Sequence, residues 1–177
     1  MKPVFIITGE KSSGKTTFLL DLSKMLQQKG YEVGGFVARH DLITDSYILC
    51  NLQTNHEVLL MQQIAPFHQS RYHFELFPDG VEAGKNWINA ILQKPLQLVV
   101  IDEIGRYELA GELWYEGFTN LINSSIPVLF TAKTKHLKII VEKWKIEPVA
   151  IFHPPDFINT KKAFAQIDSL LLQSFFS

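Results

Sequence analysis

Val4-Phe5-Ile6-Ile7-Thr8-Gly9-Glu10-Lys11-Ser12-Ser13-Gly14-Lys15-Thr16-Thr17 begins as an apolar run and ends in a lysine followed by two threonines. Its β-branched and aromatic start suits a buried strand, and Leu19, Leu20, Leu22 and Leu26 then recur at helical spacings before Gly30. The pattern predicts strand, glycine turn, helix. Residues 9–16 match G-x-x-x-x-G-K-[ST], in the strand-to-helix setting that this phosphate-binding loop requires. Gly9 and Gly14 permit backbone angles that turn the N–H groups of Glu10, Lys11, Ser12 and Ser13 toward a phosphate, and the helix presents its positive end there. Lys15 is then the group that neutralises β- and γ-phosphates. The Thr16 hydroxyl is a hard oxygen of the kind Mg²⁺ accepts, and Thr17 reaches toward the α-phosphate.

Working outward, residues 32–39 resume strand character, with Gly34 and Gly35 marking a bulge or a close backbone approach. Strands at 46–52 and 57–61 flank Thr54-Asn55-His56, which fits a hairpin turn. Phe74-Glu75-Leu76-Phe77 meets Pro78-Asp79-Gly80, after which Val81, Trp87, Ile88, Ile91 and Leu92 form a helix face that Pro95 ends. Leu98-Val99-Val100-Ile101 is apolar on both faces, as a central parallel strand covered by helices would be. Further strands are expected at 126–131 and 146–152, and helices near 117–123, 137–143 and 157–172. Alternating strands and helices imply an α/β fold: three layers, a mostly parallel central sheet and a small β-hairpin insertion. With no repeat and no linker, residues 1–177 are expected to form a single domain.

Asp102-Glu103 closes the most apolar strand, so in a parallel sheet it faces the glycine loop. That position suits a metal ligand and a base. Asp102 would hold Mg²⁺ through a water, and Glu103 would take a proton from the water that attacks the γ-phosphate. Asp102-Glu103-Ile104-Gly105 also reads as the D-x-x-G of switch GTPases, and Thr131-Ala132-Lys133 loosely as their late S-A-K. Guanine selectivity in that class needs [NT]-K-x-D, and Thr134-Lys135-His136-Leu137 lacks the carboxylate. Of the arginines Arg39, Arg71 and Arg106, the last is best placed to meet charge developing on a transferring phosphoryl group. Lys133, Lys135, Lys138, Lys143 and Lys145 read as a solvated face. The histidines show no zinc spacing. His40 and His136 are the two that could approach a nucleotide, and His153-Pro154-Pro155-Asp156 is either a rigid turn or a loop flanking the base.

The chain has 177 residues, 46% hydrophobic and 20% charged, enough for a sizeable core and inconsistent with disorder. Seventeen Lys and Arg against 18 Asp and Glu leave a net charge of -1, no field for holding nucleic acid or an anionic membrane. Cys50 stands alone and reads as core filling. No apolar run approaches the roughly 20 residues of a membrane span. The first one breaks at Thr8-Gly9-Glu10, too soon for a signal peptide. A soluble, cytoplasmic protein is expected, and a protein partner or homo-oligomer leaves no readable mark.

These residues resemble the cancer-related nucleoside-triphosphatase family of small P-loop NTPases. The likeness rests on residues 9–17, on Gly34-Gly35-Phe36, on residues 74–80, and above all on Asp102-Glu103-Ile104-Gly105-Arg106-Tyr107-Glu108-Leu109. It implies a RecA-like domain that hydrolyses nucleoside 5′-triphosphates to diphosphates and phosphate with Mg²⁺ and little base selectivity. It carries the Walker A roles onto Gly9, Gly14, Lys15 and Thr16, and the acidic pair onto Asp102 and Glu103. Ser12 and Ser13 stand where the family commonly has a further glycine, residues 39–73 look shortened, and the family's late Asn-Arg is missing around residues 157–160. If that arginine serves catalysis in relatives, this chain would use Arg106, Arg39 or a partner's residue, or turn over more slowly.

The reading is therefore an NTPase in which Lys15, Glu103 and Arg106 act on the triphosphate. Two alternatives remain open. A small-molecule or nucleotide kinase would need a second pocket and usually an arginine-rich lid, against which three arginines argue. A nucleotide-binding switch or accessory protein would present a surface containing Tyr107, Trp114, Tyr115 and Phe118.

Overall fold

The computed structural model describes residues 2–64, 73–154 and 160–175. β1 (Val4–Gly9) is buried over its first five residues, and α1 (Lys15–Gln28) lays Phe18, Leu19, Leu22 and Leu26 against the sheet. β2 (Val33–Asp41), β3 (Ser46–Asn51), β4 (Glu57–Ile64) and β5 (His73–Leu76) follow, then α2 (Pro78–Ile91) and β6 (Leu98–Ile101). The chain continues through α3 (Arg106–Leu109), α4 (Tyr115–Asn123), β7 (Val128–Lys133), α5 (Thr134–Trp144), β8 (Ala150–Phe152) and α6 (Thr160–Phe175).

All eight strands join one sheet in the order β5-β4-β3-β2-β6-β7-β1-β8. The pairs from β2 to β8 are parallel, and β2 through β5 run antiparallel to one another. Parallel strands need helical crossovers, which cover both faces and leave two cores. On one face α1 and α6 bury Leu22, Leu26, Ile167 and Leu171 against Phe5, Ile7 and Val100. On the other, α2, α4 and α5 bury Ile88, Phe118, Leu121 and Ile140 against Ile6, Val99 and Phe130. This is the expected three-layer, mostly parallel architecture.

Gly35 shows why the glycine pair sits in β2. Its φ is +120°, and a Cβ there would lie 1.9 Å from the Val100 carbonyl oxygen on β6. Only glycine lets β2 approach β6 in this register, where Gly35 faces Val100. The expected hairpin is present as β3 and β4, but β5 adds a third strand, and the whole meander extends the main sheet from β2.

Several boundaries differ from expectation: β4 runs on to Ile64, and α4 and α5 begin at Tyr115 and Thr134. The strand expected at 146–152 shrinks to Ala150–Phe152, because Ile146 belongs to the end of α5. Lys145 there is left-handed, and the Ile146 N–H donates to the Val141 carbonyl. β7 begins after Pro127, which has no N–H to pair, and runs on to Lys133. The last helix is described from Thr160 onward, so the expected start at 157 lies outside the described residues. Among the described residues no helix is long and apolar enough to cross a membrane.

Candidate functional site

The glycine loop leaves β1 at Gly9 and enters α1 through Gly14, which caps the helix with a left-handed φ of 83°. Glu10, Lys11, Ser12, Gly14 and Thr17 are exposed, whereas Lys15 is buried and its ammonium donates to the Glu10 carbonyl at 2.7 Å. β7 separates β1 from β6, so the loop and the acidic end of β6 lie side by side along one edge of the sheet. There the Thr16 hydroxyl donates to Asp102 Oδ2 at 2.8 Å. Thr131, on the intervening β7, donates to Asp102 Oδ1 at 2.5 Å, and the Ala38 N–H of β2 donates to Oδ2 at 3.1 Å.

Asp102 is 1% exposed. Burial pushes its carboxyl up to about 6, against the three hydrogen bonds that favour the carboxylate. Glu103 is partly exposed and sits at a left-handed φ of 61°. Its N–H donates to Thr131 Oγ1 at 2.8 Å, and its carboxylate lies 3.6 Å from Lys133 Nζ. One hydroxyl thus ties both acidic residues to β7. Thr16 and Asp102 form a hard-oxygen pair that fits a divalent cation keeping several waters. The hydroxyls of Thr8, at the end of β1, and Ser13, in the loop, are buried without a hydrogen-bond partner among the described residues.

Glu108 holds the loop after β6. Its carboxylate accepts the N–H of Gly105, the N-cap of α3, at 2.8 Å and that of Trp114, the N-cap of α4, at 3.4 Å, so it joins the starts of the two helices. Burial pushes the Glu108 carboxyl from 4.5 up to about 7, with Glu103 adding in the same direction. An acid whose folded pKa is raised stabilises the fold fully below its unfolded value, and that contribution is lost as pH rises through the folded one. Glu108→Gln should therefore flatten the fall in stability between about pH 4.5 and 7, by up to about 3 kcal/mol. Thermal unfolding of both proteins across that range checks it; parallel curves would contradict it.

Arg106 opens α3, exposed, with its guanidinium 4.6 Å over the Tyr107 ring and donating to the Tyr107 hydroxyl at 2.7 Å. Arg39 is turned away into an ion pair with Glu57 at 2.9 Å, and Arg71 lies outside the described residues. The lysine run divides. Lys133 and Lys135 reach a cleft beside Glu103, while Lys138 pairs with Glu142 and Lys143 donates to the Leu109 carbonyl. His136 lines the same cleft, and His40 is occupied by Asp45 at 2.7 Å. His68 and the Pro155-Asp156 end of the late turn lie outside the described residues. Burial and Glu57 push the partly buried Cys50 thiol up to about 11. Of the aromatic surface that an accessory role would present, Trp114 and Phe118 are core residues, and Tyr107 and Tyr115 are partly exposed. Among the described residues no three or more His, Cys, Asp or Glu side chains cluster as a metal site.

Sequence reasoning missed Thr131, the Ala38 N–H, Lys133 and Glu108. Thr131 left a signal, a hydroxyl at the end of an apolar strand, and Glu108 lay within the quoted acidic motif without a role.

A family model described as NTPase matches residues 4–154. The chain is 27% identical over 175 residues to nucleoside-triphosphatase THEP1 of Methanocaldococcus jannaschii, covering 94% of this chain and 95% of the relative. It is 30% identical over 144 residues to nucleoside-triphosphatase THEP1 of Thermotoga sp. strain RQ2, 79% of each. The crystal structure of THEP1 from the hyperthermophile Aquifex aeolicus aligns with a TM-score of 0.70 at 19% identity, covering 95% of this chain and 98% of that one. The solution structure of a human cancer-related nucleoside triphosphatase gives 0.70 at 21% identity, covering 98% and 99%. At these identities the two structures establish the likeness of fold.

Proposed function

The chain belongs to the NTPase family, and we propose that it hydrolyses nucleoside 5′-triphosphates to diphosphate and phosphate with Mg²⁺, within a single domain. The observation that carries this reading is the 2.8 Å hydrogen bond from Thr16 to Asp102, which joins the glycine loop to the acidic end of β6. Mg²⁺, held by Thr16 and through water by Asp102, would neutralise charge on the β- and γ-phosphates.

The protein's own groups do the rest. N–H groups across residues 10–14 receive phosphate oxygens at the positive end of α1. Lys15 exchanges the Glu10 carbonyl for the β- and γ-phosphates, and Thr17 lies over the α-phosphate. Thr131 fixes Asp102 and Glu103 together, so the carboxylate of Glu103 is held where it can accept the proton of an attacking water. Arg106, resting on Tyr107, is the guanidinium available to the charge that develops on the transferring group.

Phosphate release from ATP, GTP, CTP and UTP tests the reading. Release from several of them in Mg²⁺ is expected, falling about 100-fold or more when the metal is chelated. Binding without release from any nucleotide would overturn hydrolysis.

A further inference from the structure

Beyond Glu103, β2 to β5, the segment after β6 and the junction of β7 with α5 enclose a cleft of about 230 Å³. No residue of the 9–17 loop lines it, while Asp102 and Glu103 border it. One wall is aromatic and apolar, built from Tyr47, Leu60, Met61 and Phe74, with Trp114 beside them. Tyr47 packs edge-on to Phe74 at 5.6 Å and stacks on His40 at 4.6 Å, which fixes its ring. The facing wall is cationic: Arg106, Lys133 and Lys135, with His136. Burial, then Lys135 and Lys133, hold His136 below its ordinary value, a sign that positive charge converges there.

A hydrolytic water needs neither wall. Aromatic faces accept a planar ring, and three cations beside the γ-phosphate position accept an anion that would otherwise be repelled by the triphosphate. At about 230 Å³ the cleft has no room for a second nucleoside triphosphate, and a monophosphate is the largest nucleotide it would take. We infer that this cleft is a second substrate site, for a nucleoside monophosphate, a phosphate monoester that also carries a planar aromatic base, whose phosphate accepts the γ-phosphoryl group in place of water. The inference rests on the hydrolase reading, since the donor is the same bound triphosphate.

In that step a monophosphate oxygen attacks the γ-phosphorus with a lone pair as the bond from phosphorus to the β,γ-bridging oxygen breaks. The donor leaves as a diphosphate with that electron pair, and the acceptor becomes a diphosphate. A dianionic phosphate carries no proton on the attacking oxygen, so no base is required. Arg106, Lys133 and Lys135 supply the positive charge that an arginine-rich lid would supply elsewhere, and Lys133 also offsets Glu103 at 3.6 Å.

The test follows the label from γ-³²P-ATP with Mg²⁺ in the presence of AMP, GMP, CMP or UMP. Adenosine, which lacks the anion, and ribose 5-phosphate, which lacks the ring, are the control arms. Labelled nucleoside diphosphate is expected from at least one monophosphate and from neither control, with ADP from the donor equal to phosphate plus labelled diphosphate. Lys135→Ala, an exposed substitution, and Phe74→Ala should each raise the half-saturating monophosphate concentration at least about tenfold. Phosphate release with no labelled nucleoside diphosphate would overturn the second site and leave hydrolysis standing; neither product would overturn both. Labelling unchanged in both variants would place the acceptor elsewhere and overturn the cleft.

Discussion

Lys15→Ala should weaken triphosphate binding by about 100-fold or more, the largest single loss of affinity available at this site. The reason lies in where the ammonium already is. Lys15 is 5% exposed, and its charge is satisfied by the Glu10 carbonyl at 2.7 Å, so the side chain is held inside the loop before any phosphate arrives. A triphosphate takes over a cation whose rotamer freedom has already been spent, and truncation leaves its β- and γ-oxygens facing a gap. The fold itself should tolerate the change, because one hydrogen bond inside the loop is lost and the core packing of Phe18 and Leu19 is untouched. Thermal unfolding separates the two effects: ATP should raise Tm in the wild type and leave the variant nearly unmoved. A variant that ATP stabilises as strongly as the wild type would overturn the assignment of Lys15 and of the loop with it.

The loop was readable because its chemistry is local: glycines, lysine and threonine at fixed spacing between a strand and a helix. β6 was equally plain, since four apolar residues buried on both faces admit no other place in a parallel sheet. What escaped depended on partners far along the chain. Thr131 reads as the end of a strand, and only the sheet order, with β7 between β1 and β6, makes it the hydroxyl shared by Asp102 and Glu103. α3 has four residues and no hydrophobic period, and the Glu108 side chain holds it by accepting the N–H groups of Gly105 at its start and of Trp114 at the start of α4. Ile146 looked like strand because it is apolar, yet it is buried as the residue that closes α5. The cleft beside Glu103 is assembled from separate segments, so no window of sequence contains it, and Lys133 and Lys135 looked like any solvated run.

Glu103→Gln should lower hydrolysis by about 1,000-fold, within the range that removing a general base produces, while nucleotide binding changes little. Glutamine keeps the shape and leaves the main-chain N–H bonded to Thr131 at 2.8 Å, so the left-handed turn at φ 61° and its neighbours should survive. A non-glycine residue in that conformation costs on the order of 1–3 kcal/mol, and the Thr131 hydroxyl that fastens it also fastens Asp102. The carboxylate is therefore held at the mouth of the site at a conformational cost, beside the cation of Lys133 and clear of the glycine loop. An amide in its place cannot take the proton of an attacking water, and it no longer pairs with Lys133. The expected signature is a fall in kcat with KM nearly constant, because the lost interaction acts on the reacting water and not on the bound phosphates. Lys133→Ala serves as the control for the broken ion pair: it should cost far less than Glu103→Gln if proton acceptance is the role. Equal losses in the two variants would make electrostatic pairing the function of Glu103, and undiminished release in Glu103→Gln would remove it from the mechanism.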